Sequence, residues 1–251
     1  MDRHRRQRPA PRMTIANDGA EAPGSTAFLS RMLQFGDSMF PIGAFAFSSG
    51  LESAIQEGVV TNAATLQAYA RTALEQAARG DGIALIVAHR AAMAGDIDTL
   101  ARIDAQVYAR KLSDEARTMS VRMGKKFTEM GVEVVGAPLL QTWRECIEKS
   151  VTPGCYPIAL SINFAVLDLT ARQAFVVHQY GVVTTILGAA LRLMKVSHFE
   201  TQKILYELTG STAEMYEAAA AARLSDMAGF APLTDILAAI HTRAHVRLFM
   251  S

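Results

Sequence analysis

"QAFVVHQYGVVTTILGAAL", residues 173–191, runs uncharged between Arg172 and Arg192. Such a stretch is about long enough to span a bilayer. Yet Gln173, His178, Gln179, Tyr180 and two threonines lie inside it, and each is a poor lipid neighbour. It reads instead as a central helix buried on most sides by other helices, so no membrane partner is expected.

Working outward, helix follows helix. "TAFLSRMLQFGD" (26–37) opens a short one ending at Gly36. Ser49 and Glu52 have capping-box spacing and predict a helix from Ser49 to Gly58. In 65–80, Leu66, Tyr69, Ala70, Ala73, Leu74 and Ala77 share a face, with Gly80 as the expected C-cap. Asp81 and Asp96 are expected to cap the next two helices, over 81–95 and 96–112. A more polar helix follows over 113–131, and another around "APLLQTWRECIEKS". "VTPGCYP" is a break with two prolines and a glycine. Capping boxes at Thr170/Gln173, Ser197/Glu200 and Ser211/Glu214 each precede an apolar helical pattern. No sustained strand alternation and no long repeat is evident. The expected fold class is all-α: one helical bundle of roughly ten helices with short loops, over 26–251.

Composition agrees. Half of the 251 residues are hydrophobic, a fifth charged and only 7% aromatic, which favours helices over sheets. The formal net charge of +1 creates no field that would draw nucleic acid. The basic run "RHRRQRPAPR" (3–12) belongs to a polar, Pro-containing stretch, 1–25, expected to be a disordered tail. Cys146 and Cys155 form neither a CxxC site nor a disulfide framework. With no signal peptide in view, a reducing cytoplasm is the expected compartment.

Catalytic patterns are wanting. Gly124–Lys125 is the only Gly-Lys pair, and the P-loop position five residues earlier is Met119. "FSSGL" lacks the GxSxG elbow, and the carboxylates are scattered singly. His89 and His178, in apolar surroundings, read as hydrogen-bonded core residues. His241 and His245 sit four apart on the last expected helix, so both could face one metal. A solvated helix face is the preferred reading and no metal site is expected, since HExxH and a nearby third ligand are missing. No enzyme, cofactor or catalytic residue is expected.

"FPIGAFAFSSGLE" (40–52) is too rich in Gly and Pro for a helix and too apolar for an ordinary loop. "LQFGDSMFPIGAFAFSSGLESAIQEGVV" (33–60) resembles the N-terminal signature of the UreF family of urease accessory proteins. Pro41, Gly43, Phe45, Ser48, Gly50, Leu51 and Glu52 match in order and spacing. "LRLMKVSHFETQKIL" (191–205) is similar to the family's basic segment, with Arg192 and Gln202 in place. "HTRAHVRLFMS" resembles the family ending through His241, Arg247, Leu248, Phe249 and Ser251. The chain departs at Phe47 and Ser49, where the family has tyrosine and glutamine, and at Thr242, Ala244 and His245. Cys155 stands nearest to a family histidine.

The resemblance implies a non-enzymatic assembly chaperone for nickel insertion into apo-urease. It implies a homodimer that binds the UreD (UreH) scaffold and recruits the UreG GTPase. On that basis the hinge is expected to be a partner surface, with Phe45 turned inward and Phe47 at the interface. The terminus is expected to fray when alone and to dock on a partner, Arg247 donating and Leu248 and Phe249 anchoring. Two alternatives stay open. One is a GTPase-activating role, with Arg192 or Arg247 supplied in trans; the other is nickel carriage by His241, His245 or Cys155.

Overall fold

A computed structural model of the chain describes residues 26–228, 236–237 and 248–249. The expected basic tail (1–25), His241, His245, Arg247 and Ser251 lie outside the described residues. Eleven α-helices account for most of what is described, without a strand: α1 (Thr26–Gly36), α2 (Leu51–Gln56), α3 (Ala63–Ala77), α4 (Ile83–Met93), α5 (Ile97–Arg110), α6 (Asp114–Val134), α7 (Pro138–Glu148), α8 (Tyr156–Val166), α9 (Ala171–Leu193), α10 (His198–Thr209) and α11 (Thr212–Ala221).

The uncharged stretch 173–191 lies within α9. By length and composition it is the one described helix able to cross a membrane, but more than half of its most apolar window is buried inside the fold. It touches α1, α2, α3, α4, α8, α10 and α11. Two core clusters meet along it. Ala174, Phe175 and Val177 join the larger one, built around α4 and α8. Val183, Ile186, Leu187, Ala189 and Ala190 join a second, shared with α2, α3 and α10. At 1.5 Å per residue, a helix of 23 residues is long enough to face both, and burial at both ends explains why it carries no charge between Arg172 and Arg192. The shell around it forms one compact all-helical domain.

Several caps follow local chemistry. Thr170 accepts from the Gln173 amide and Ser197 from Glu200, each with its reciprocal bond, and Asp96 accepts from Thr99. Ser211 departs from expectation: its hydroxyl donates back to the Leu208 carbonyl at 2.9 Å instead of capping α11.

The expected stop at Gly80 and start at Asp81 are also corrected. Residues 78–82 form a π-turn that carries α3 into α4 without a break. Gly82 lies so close to Phe175 that a Cβ would meet its ring at 2.5 Å. Asp81 then faces inward, its carboxylate 2.7 Å and 2.5 Å from Lys111 Nζ and 3.8 Å from His178 Nε2. Burial pushes the Asp81 carboxyl up, but Lys111 and His178 outweigh it and hold the group below the usual carboxylate range. Burial drives His178 down to about 4, opposed by the Asp81 charge.

Gly124, the only glycine before a lysine, owes its place to packing. A Cβ there would stand 2.1 Å from the Gly154 carbonyl oxygen, so α6 and the chain entering α8 meet backbone to backbone. Asp104 organises that entry by accepting from Thr152 Oγ1 (2.6 Å) and the amides of Gly154 (2.6 Å) and Cys155 (2.8 Å).

Candidate functional site

The hinge at 40–50 connects α1 to α2 and is pinned at both ends. Phe40 packs its ring against Phe35 and Phe127, 5.1 Å and 5.3 Å between centroids. Phe47 is 3% exposed and sits in the larger core. Between them Gly43 adopts φ 79°, which favours glycine, and a single 3₁₀ turn over Ala44–Ala46 follows. This turn throws Phe45 into solvent, 74% exposed. The expected assignment is therefore reversed: Phe45 points outward and Phe47 inward. Pro41 is exposed and Gly43 half-buried, whereas Ser48 and Gly50 are buried.

Ser49 and Gly50 both hold positive φ, 53° and 78°, and the Ser49 carbonyl accepts the Tyr69 hydroxyl at 2.7 Å. That tether takes the backbone into α2, whose N-cap is Gly50 with no side-chain bond. The Ser49–Glu52 capping box does not form. Glu52 is instead buried, 4% exposed, and spends its carboxylate on the far end of the chain. Oε1 accepts the Leu248 amide at 2.8 Å and Oε2 the Phe249 amide at 3.1 Å.

Arg192, in the last turn of α9, closes the arrangement. Its guanidinium donates to the Phe45 carbonyl at 2.8 Å and lies 4.1 Å from the centre of the Phe249 ring, within cation–π range. Phe249 is 5% exposed and belongs to the second core cluster, while Leu248 is 65% exposed. Phe249 thus anchors onto its own chain, contrary to the expectation that it waits for a partner.

Hinge, α2, the end of α9 and the terminus therefore converge on Arg192 and Glu52. Gln202 stands apart, exposed on the outer face of α10. Cys155 is buried, and burial, followed by the nearby Asp104 charge, pushes its thiol up. A thiol held protonated is a poor ligand. Among the described residues no three His, Cys, Asp or Glu side chains are placed to share a metal ion. His89 is a satisfied core residue, bonded to the Leu169 carbonyl at 2.7 Å.

The Glu52 contacts left no trace in the sequence beyond the motif itself. The exposed aromatics of α10 could have been found, because Phe199 and Tyr206 fall opposite that helix's apolar face.

The family model for UreF matches residues 60–209. Urease accessory protein UreF 2 of Brucella abortus (strain 2308) is 53% identical over 223 residues, covering 89% of this chain and 92% of the relative. Urease accessory protein UreF of Yersinia pestis (strain Pestoides F) is 48% identical over 221 residues, covering 88% and 97%. By family match and by near-full-length identity alike, the chain belongs to the UreF family.

Proposed function

We propose that this protein is a cytoplasmic, non-catalytic assembly chaperone for urease. In this reading it acts as a homodimer that binds a UreD-like (UreH-like) scaffold protein and recruits a UreG-like GTPase, so that nickel reaches apo-urease. The observation that carries the reading is the outward Phe45. A left-handed glycine and the Arg192 hydrogen bond hold it away from the core that takes Phe40 and Phe47. An ordered, exposed aromatic beside an arginine is the material of an interface hot spot. Leu248 adds a second exposed apolar group on the segment joined to Phe45 through Arg192. Pro41, Gly43, Ser48, Gly50, Glu52 and Phe249 then act as the frame that presents them, and Phe47 as its core anchor.

Size-exclusion chromatography with light scattering, run on the chain alone and mixed with UreD-like and UreG-like proteins, tests this. A dimer alone and a stoichiometric larger complex on mixing are expected. Absence of any complex at low salt, with GTP and nickel present, overturns the reading. The GTPase-activating alternative gains nothing from Arg192, whose guanidinium is already engaged at Phe45 and Phe249.

A further inference from the structure

Three described residues other than glycine hold φ in the left-handed region: Ser49, Ser150 and Asp168. Ser150 and Asp168 follow the ends of α7 and α8, where a left-handed residue is a common way to stop a helix. Ser49 is of another kind. It precedes a helix, and Gly50 after it is left-handed too, at φ 78°. A serine at φ 53° occupies a sparsely populated region and persists only where its surroundings hold it.

Its side chain supplies little of that hold. Ser49 Oγ meets the Met119 sulfur at 3.9 Å, and a thioether is a weak acceptor. The backbone carbonyl is gripped instead, accepting the Tyr69 hydroxyl at 2.7 Å. Tyr69 is 8% exposed and packs in the second core cluster with Leu51 and Ala54 of α2. The helix that carries it, α3, is fixed at its start by the Asn62–Thr65 capping box. Burial pushes the Tyr69 phenol up, so the hydroxyl stays protonated and remains a donor.

We infer that Tyr69 is a positioning residue of the candidate site: through the Ser49 carbonyl its hydroxyl fixes the left-handed entry to α2, and so aims Glu52 at the terminus. This deepens the scaffold reading and rests on it for the partner. The path is short. Ser49 and Gly50 turn the backbone so that the Leu51 amide reaches the Ser48 carbonyl at 3.1 Å and α2 begins. Glu52, in the first turn, then holds the Leu248 and Phe249 amides. Phe249 lies against Arg192, which also donates to the Phe45 carbonyl. A helix of six residues with no side-chain cap is not stable by itself, so its direction is set by its packing and by what holds its entry. The departure from the family's glutamine at Ser49 leaves the tether intact, because the bond uses a backbone carbonyl that any residue supplies.

The test uses the full chain and reads hydrogen exchange at the Leu248 and Phe249 amides. Tyr69→Phe keeps the ring and deletes the hydroxyl. Exchange at both amides is expected to rise by about tenfold, the order set by one lost hydrogen bond. Binding to the UreD-like protein is expected to weaken by a similar factor, with unchanged helical circular dichroism. Adding Ser49→Gly, which takes a left-handed φ at no steric cost, is expected to restore most of the protection and the binding. Lost packing around Tyr69 gives no reason for such a rescue. Ser49→Val, with Tyr69 intact, strains the same backbone, since a β-branched residue is an outlier at positive φ, and is expected to match Tyr69→Phe. If Tyr69→Phe fails to fold, Ser49→Val decides. The inference is overturned if either single variant leaves the exchange unchanged, or if Ser49→Gly does not rescue Tyr69→Phe. Release and rescue of the amides in a chain whose wild type binds no UreD-like protein sinks only the scaffold reading. A wild-type complex with unmoved amides in the variants sinks only the role of Tyr69.

Discussion

Glu52 and Phe249 lie 197 positions apart, and the carboxylate of one accepts the backbone amide of the other at 3.1 Å. With the Leu248 amide on its second oxygen, Glu52 holds two consecutive backbone amides of the terminus. Hydrogen bonds to a charged acceptor are worth about 1.5–3 kcal/mol each. Glu52→Ala is therefore expected to release the terminus, and faster hydrogen exchange at the Leu248 and Phe249 amides reports it. Glu52→Gln, which keeps one carbonyl oxygen, should fall between. Unchanged protection in Glu52→Ala would show that the Phe249 ring alone holds the segment.

Phe45 and Phe47 give a paired experiment. Phe47→Ala opens a hole in the core and is expected to cost about 3–5 kcal/mol of stability, read as a lower denaturant midpoint. Phe45→Ala leaves the midpoint nearly unchanged and weakens binding to the UreD-like protein by on the order of 2 kcal/mol. The opposite pattern would restore the orientation expected from sequence.

Acid should loosen the fold through His178. Its folded-state pKa of about 4 lies below the ordinary 6.5, so the folded protein favours the neutral ring. That preference is fully present above pH 6.5 and is lost as pH falls from 6.5 towards 4. The difference amounts to about 3 kcal/mol at most. Asp81 extends the loss to more acid pH, because its carboxyl pKa is lowered from 3.8 and its contribution is withdrawn only as pH falls through that value. Thermal melts of wild type and His178→Gln across this window should show a shallower pH dependence in the variant. Parallel curves would remove His178 from the account.

Two helix glycines should respond in opposite directions to alanine. Gly124→Ala drives a methyl into the Gly154 carbonyl and the Cys155 backbone, which cannot retreat as a flexible side chain could. A loss of about 3 kcal/mol is expected. Gly181, within α9, has open space where the methyl would go, and Gly181→Ala is expected to gain roughly 0.5–1 kcal/mol. Urea melts of both variants decide the matter.

What was legible in the sequence was local. The caps at Thr170, Ser197 and Asp96 involve partners three residues away, so short-range chemistry suffices to encode them. The uncharged run of α9 announced a buried helix because burial on several sides excludes charge wherever the neighbours lie. The family motif marked the hinge, Arg192 and the terminus as residues that matter. Only tertiary structure decided how they meet. Phe45 and Phe47 are two residues apart in an irregular segment, where no period assigns a side, and the Gly43 turn with the Arg192 bond settled it. Gly80 and Asp81 carry the signals of a stop and a start, yet the packing of Gly82 on Phe175 and the Asp81–Lys111 pair carry the helix through as a π-turn. Glu52 has the right spacing to cap its own helix, but its carboxylate bonds to amides that only the folded chain brings within reach. Such pairings depend on the assembled core, and neither partner's neighbours in sequence reveal them.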